Sequence, residues 1–141
     1  MVVLDTDHVS LLEHGDSPLA QRLRSRLANY GDTRLVTTII SYEEQVRGWM
    51  SSLAQARNLS QQLIAYRRLK RHLDNYRDYT VLEFDELSAT AFQRLRKLAP
   101  RVGTMDLKIA AITLTNEATL LSRNLFDFQR VPGLHVEDWT I

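Results

Sequence analysis

The order of apolar segments in this chain predicts an α/β fold in which helices cover both faces of a mainly parallel sheet. Short apolar runs that are typical of buried strands alternate with longer stretches whose apolar residues recur at three- and four-residue steps, the period of a helix. Strands separated by helices pair in parallel, because each helix crosses over the sheet before the next strand begins. With 141 residues, 44% of them hydrophobic, the chain is long enough for one domain, residues 1–141, with a substantial core.

Five short strands are predicted from runs of aliphatic and β-branched residues. The first, Val2–Leu4, is a continuous apolar run followed at once by polar turn formers, as expected for a strand covered on both faces. The others are Leu35–Ile40, Thr80–Phe84, Thr119–Ser122 and Leu134–Val136.

Six helices are predicted between these strands. They run from about Val9 to Glu13, from Pro18 to Asn29, from Ser41 onward, from Ala56 to Tyr76, from Glu86 to Leu98 and from Asp106 to Asn116. The fourth is the longest, with Leu59, Leu63, Tyr66 and Leu73 among its apolar residues at helical spacing. The last is apolar on all sides, which indicates nearly complete burial.

Composition limits the classes of function. The net charge is only +1, but three of the 18 basic residues are Lys and the rest are Arg, whose planar guanidinium suits phosphate contacts. The absence of Cys excludes disulfides, a thiolate nucleophile and a Cys-based zinc site. The first residues are too soon acidic for a signal peptide, and no 18 apolar residues follow one another, so we expect a cytoplasmic protein without a membrane segment.

Four acidic residues lie where parallel sheets usually bind their ligands, beyond the carboxyl ends of strands or at the start of a helix. Asp5 follows the first strand, Glu44 lies early in the third helix, Asp106 opens the apolar helix, and Asp127 follows the fourth strand. If the fold brings them together, their mutual repulsion is relieved by a hard divalent cation that prefers oxygen ligands. This pattern points to metal-dependent phosphodiester chemistry.

Each acid also has a simpler interpretation. Asp5 and Asp7 are suited to a turn or a helix cap, Asp106 to the positive end of a helix dipole, and Asn124 and Asp127 to an ordinary loop. Ser41 and Glu44 match a capping box, in which the Glu side chain reaches back to the Ser amide. Helical periodicity leaves open whether Glu44 faces a cleft or solvent. The four His residues have no metal-ligand spacing, so a packing or surface role is expected for each.

Four segments, residues 4–7, 44–48, 106–111 and 122–139, resemble a PIN-domain protein of the VapC toxin type. The last segment reads S-R-N-L-F-D-F-Q-R-V-P-G-L-H-V-E-D-W and is close to the ending T-x-N-x-x-D-F-x-R-V-x-G-L-x-V-E-D-W of that family. Residues 50–98 match only in helical character. Two positions depart from the family pattern: Asp7 stands at the place of the usual Asn, and Ser122 at the place of the common Thr.

The resemblance implies a three-layer α/β/α sandwich with a mainly parallel central sheet, and an endoribonuclease that depends on Mg²⁺ or Mn²⁺. It places the metal and catalytic site at Asp5, Glu44, Asp106 and Asp127, since the Glu44-x-x-x-Gly48 spacing favours Glu44 over Glu43. Thr6 and Asn124 are expected to orient groups around the cation. The resemblance also implies the toxin of a type II toxin–antitoxin pair, a homodimer that acts on RNA and is inhibited by a cognate antitoxin.

Two alternatives are kept. Residues 5–9 fit the D-x-D-x-V start of haloacid-dehalogenase-like phosphatases, with Asp5 as nucleophile. That class also needs a later Lys and a paired acidic motif, and no Asp-Asp pair occurs in the sequence. The other alternative is a non-catalytic PIN-fold protein that only binds a partner, against which the presence of all four acids argues.

Overall fold

The computed structural model describes residues 1–31 and 34–141, and its strands alternate with helices as the sequence predicts. The elements are β1 Val2–Leu4, α1 Thr6–His14, α2 Pro18–Tyr30, β2 Val36–Thr38, α3 Ile39–Gln55, α4 Leu59–Arg77, β3 Thr80–Leu82, α5 Glu86–Leu98, α6 Thr104–Thr115, β4 Thr119–Leu121, α7 Leu125–Phe128 and β5 His135–Glu137. The short helix α7 was not predicted, because four residues are too few to display a period. Within the described ranges, no helix is long and apolar enough to cross a bilayer.

All strand pairings between these elements are parallel. β4 lies between β1 and β5, with Val3 opposite Leu120 in the β1 register, and β2 pairs separately with β3. The two ladders meet where the Thr37 hydroxyl of β2 donates a 2.8 Å hydrogen bond to the Leu4 carbonyl of β1. The hydrogen bond between β1 and β2 therefore comes from a side chain, whereas in a continuous sheet it would come from the backbone.

The layers follow from the alternation of side chains along the strands. Val3 and Leu120 face a core formed with α5 and α6, where Leu95, Ile109 and Ile112 are almost fully buried. Their neighbours face the opposite core, formed with α1 and α2 and closed by Trp139; the residues are Val2, Leu4, Val9, Leu23 and Leu121. Both faces of the sheet are covered, which confirms the predicted α/β/α arrangement.

Candidate active site

Asp5 is fixed at the carboxyl edge of the sheet by backbone and side chain together. Its amide donates to the Leu121 carbonyl at 3.0 Å, which extends the β1–β4 pairing by one residue. Its Oδ1 accepts the His8 amide at 2.8 Å and so caps α1. The capping and functional interpretations are therefore compatible, because the cap uses only one oxygen of this buried carboxylate.

Glu44 is held by a neighbouring hydroxyl and not by a capping box. Helix α3 begins at Ile39, two residues before the predicted start, and its N-cap is Thr38, whose Oγ1 accepts the Ser41 amide at 3.2 Å. Ser41 therefore lies inside the helix, and the capping-box interpretation is wrong. Glu44 Oε1 instead accepts a 2.7 Å hydrogen bond from Thr6 Oγ1, the first residue of α1.

Asp106 lies in the first turn of α6, a helix whose N-cap Gly103 offers no side-chain cap. Ionisation there is favoured by the helix dipole, yet the pKa of Asp106 is raised from 3.8 to about 6. Burial is the largest cause, followed by the charges of Glu44, Asp5 and Asp127. Three other carboxylates therefore act on Asp106 at once.

Asp127 is held by a compact turn after β4. Asn124 caps α7 and donates through Nδ2 to Asp127 Oδ2 at 3.0 Å, while the fully buried Ser122 Oγ accepts the Asn124 amide at 2.9 Å. Ser supplies the same hydroxyl acceptor as the Thr that is more common at this place. The substitution thus preserves the bond that orients Asn124.

The four predicted acids come from four different parts of the chain and share one electrostatic environment at the edge of the sheet. Two of them each receive a hydrogen bond from one of the polar residues that the sequence singled out: Thr6 contacts Glu44, and Asn124 contacts Asp127. A cluster of carboxylate oxygens that raises the pKa of one member is the donor set that a hard divalent cation fits. The four side chains therefore offer the type of ligand atom that such a cation takes.

The additional charge of Asp7 is neutralised by Arg123. The guanidinium donates through Nε to Asp7 Oδ2 at 2.6 Å and through Nη2 to Oδ1 at 2.7 Å. These bonds are the main reason that the pKa of Arg123 is raised. Asp7, at a position where Asn is usual, is thus paired with Arg123, which lies 116 positions later in the sequence.

His8 is fully buried beside these acids, a contact that sequence reasoning missed. Its Nδ1 lies 3.3 Å from Asp5 Oδ1, and neither ring nitrogen has a hydrogen-bond partner among the described residues. Ligand atoms of Asp5, Asp7 and His8 lie within 4.8 Å of one another. Both Asp7 oxygens, however, accept hydrogen bonds from Arg123, so the charge of this carboxylate already has a partner.

A separate cavity of about 420 Å³ opens on the far end of α1 and contains none of the four acids. Glu13 lines it together with Arg24 and Arg71. Its carboxylate accepts a hydrogen bond from the Tyr79 hydroxyl at 3.2 Å, and burial raises its pKa. This cavity and the acidic cluster are therefore different places.

Comparison with known proteins identifies the family of this chain. A model of the PIN domain family matches residues 2–134. The chain belongs to the PIN domain family. The match covers β1 to the loop before β5 and includes all four acids, and it disfavours the haloacid-dehalogenase-like alternative.

Individual relatives of this PIN-domain chain cover almost its whole length. It is 28% identical over 141 residues to a protein named Ribonuclease VapC1 from Haemophilus influenzae strain R2866, covering 98% of this chain and 97% of the relative. Its fold is similar to that of VapBC-1 from nontypeable Haemophilus influenzae, with a TM-score of 0.76, 24% identity and full coverage of both chains. It is also similar to a toxin–antitoxin complex from Klebsiella pneumoniae, with a TM-score of 0.66, 18% identity and coverage of 99% and 98%. The predicted fold and the resemblance to VapC-type PIN proteins are confirmed.

Proposed function

We propose that this PIN-domain protein is an endoribonuclease that uses Mg²⁺ or Mn²⁺, and that Asp5, Glu44, Asp106 and Asp127 form its metal and catalytic site. The observation that carries the proposal is the raised pKa of Asp106, to which the other three acids contribute. A cation between four carboxylates that repel one another stabilises their ionised state. The relative named Ribonuclease VapC1 supports RNA as the substrate.

In this site the protein holds and orients its carboxylates, and the cation supplies the Lewis-acid chemistry. Bound by these carboxylates, Mg²⁺ or Mn²⁺ would lower the pKa of water and would stabilise negative charge on the phosphate. Thr6 keeps Glu44 directed toward the cluster, and Asn124 does the same for Asp127. The Asp5 side chain is restrained because it caps α1. Asp5, Glu44 and Asp127 are therefore ordered before RNA binds.

We also propose that the protein is a toxin that binds a cognate antitoxin and forms a homodimer. Similarity to a protein described as a toxin–antitoxin complex supports this assignment. So does an apolar surface on α3 and α4, whose side chains are about half exposed or more; it consists of Met50, Leu59, Leu63, Ile64, Tyr66 and Leu73. A patch of this composition is typical of protein–protein contacts.

The test is cleavage of RNA by purified protein that has been freed of any partner and of metal. We expect activity after addition of Mg²⁺ or Mn²⁺, loss of activity in EDTA, and loss of both activity and Mn²⁺ binding by calorimetry in Asp106→Asn. Undiminished cleavage in EDTA contradicts the metal proposal. Metal binding without cleavage by the wild type instead favours the non-catalytic binding protein.

A further inference from the structure

Arg123 is held in one orientation at the end of β4 but retains unused hydrogen-bond donors. A guanidinium has five N–H groups. Asp7 accepts one from Nε and one from Nη2, at 2.6 and 2.7 Å. The other three, two of them on Nη1, have no partner among the residues that the structure describes. The Nη1/Nη2 end of the guanidinium can therefore bind a further acceptor, while Asp7 fixes the orientation of the Nε/Nη2 edge.

The side chain is also accessible, since 40% of its surface is exposed. It follows Ser122 and precedes Asn124, the residue that holds Asp127, so its backbone lies at the carboxyl edge of the sheet with the acids. Its partner Asp7 has a carboxylate oxygen within 4.8 Å of a carboxylate oxygen of Asp5, so the guanidinium lies beside the cluster. A fixed cation thus stands at the rim of a strongly negative site.

RNA meets an electrostatic difficulty at such a site, because its phosphates are repelled by the same carboxylates that bind the metal. A guanidinium end with two parallel donors matches two non-bridging oxygens of a phosphate. We propose that Arg123, held by Asp7, binds a phosphate of the RNA backbone next to the one that is cleaved. This inference rests on the proposed ribonuclease function and adds a binding residue to it.

Asp7 has a defined part in this arrangement. Without its carboxylate, Arg123 is free to fold toward the acidic cluster, where it neutralises a ligand and offers no donor to RNA. Asn at position 7 retains only one acceptor oxygen for the two N–H groups. We therefore expect Asp7→Asn to weaken RNA binding less than Arg123→Gln, and the double variant to be no worse than Arg123→Gln alone, because both act through the same guanidinium.

The experiment measures the affinity of a fluorescein-labelled single-stranded RNA by anisotropy across a salt series in EDTA, so that no variant differs from another through bound metal. The parent is Asp106→Asn, so that RNA stays intact. Arg77→Gln is the matched control: Arg77 is also exposed and paired with a carboxylate, that of Asp74, but it precedes β3 at the opposite edge of the sheet. Thermal midpoints confirm that each variant is folded.

In the expected result, Arg123→Gln weakens RNA binding about tenfold or more, as for loss of a charge-assisted contact, and Arg77→Gln does not. The slope of log affinity against log salt falls by about 0.7, the value for one phosphate contact on a single strand. Equal affinity and slope for parent and Arg123→Gln overturn the phosphate contact while leaving the ribonuclease proposal intact. Absence of both RNA binding and RNA cleavage in the protein without any of these substitutions overturns both.

Discussion

Glu43 and Glu44 are adjacent in the sequence but have different partners in the fold. Glu43 forms an ion pair with Arg47 one turn later on α3, whereas Glu44 accepts the Thr6 hydroxyl and contributes to the raised pKa of Asp106. We therefore expect Glu44→Gln to reduce RNA cleavage by orders of magnitude, because a metal ligand loses its charge. Gln still accepts from Thr6, so its thermal midpoint without metal should be unchanged or higher.

Glu43→Gln is the matched control and should cleave RNA at nearly the wild-type rate, since an exposed ion pair contributes little. Both variants are compared by cleavage rate with Mn²⁺ and by thermal midpoint in EDTA. An active Glu44→Gln together with an inactive Glu43→Gln would mean that the neighbouring carboxylate serves the site.

Thr6 gives a second prediction at the scale of one hydroxyl group. Thr6→Val keeps the shape of the side chain but removes the donor that holds Glu44 Oε1 at 2.7 Å. Loss of a residue that orients a metal ligand lowers metal affinity by roughly 10–100-fold, and we expect a decrease of this size for Mn²⁺ by calorimetry. Thr90→Val, on the exposed side of α5, is the control. Equal Mn²⁺ affinity of the two variants would show that Thr6 does not orient the site.

The acids of the site were predictable because each one follows a strand or starts a helix, and strand ends gather at one edge of a parallel sheet. Their partners were predictable only in part. Thr6 and Asn124 were singled out by proximity in sequence to Asp5 and Asp127, but the contact of Thr6 with Glu44 depends on how α1 meets α3. The pairing of Asp7 with Arg123 joins residues 116 positions apart, and no local pattern contains it.

At the scale of elements, helical periodicity identified α4 but not which of its faces is buried. Its regularly spaced Leu59, Leu63, Tyr66 and Leu73 are more than half exposed, and the buried residues are Ala65, His72 and Tyr76. A period shows that a helix is amphipathic without saying whether the apolar face meets the protein's own core or another chain. The exposed face therefore fits the proposed dimer or antitoxin contact better than a core.

This distinction predicts opposite results for two leucines. Leu63→Ser, on the exposed face, should leave the thermal midpoint nearly unchanged but weaken self-association and antitoxin binding. Leu95→Ala, on the fully buried face of α5, should lower the free energy of unfolding by about 2–5 kcal/mol. Thermal unfolding and light scattering after size-exclusion chromatography measure the two effects. A large loss of stability in Leu63→Ser would place this face in a core instead.

The predicted boundary between β2 and α3 was wrong, because the same residues suit the end of a strand and the start of a helix. Residues 35–40 are β-branched and aliphatic, which predicts a strand to Ile40, yet β2 ends at Thr38 because the Thr38 side chain caps α3. Ser41 was predicted as the N-cap of α3, but the N-cap is Thr38, another hydroxyl residue three positions earlier. A Thr at the end of a strand serves both elements, and propensity alone does not divide them.

At the scale of the whole molecule, the net charge of +1 conceals a strong separation of charge. Four acids lie at one edge of the sheet, while exposed positions of α4 carry Arg67, Arg68, Lys70 and Arg71 beside the exposed apolar side chains. Net charge thus gave no indication of nucleic-acid chemistry, because the acids of the site offset basic residues elsewhere. Only the placement of the acids by the fold makes the separation visible.

The concentrated acids also predict how stability depends on pH without metal. The pKa of Asp106 is about 6 in the folded protein and near its ordinary value of 3.8 when unfolded. Between these values the folded state keeps a proton that the unfolded state has lost, so the contribution of Asp106 to stability is full below pH 3.8 and is lost as pH rises through 6. Buried His72, whose pKa is lowered, acts in the opposite direction, since stability from this group is lost as pH falls below its ordinary 6.5.

Comparison with Asp106→Asn isolates the first effect, because the variant keeps His72 and lacks the titrating carboxylate. In EDTA, the thermal midpoint of the variant should exceed that of the wild type by a margin that grows from pH 4 to about pH 7 and then stays constant. With Mn²⁺ the order should reverse above pH 6, because the cation binds ionised Asp106 and stabilises only the wild type. A margin that is independent of pH in EDTA would mean that Asp106 ionises normally and that the four acids do not share one site.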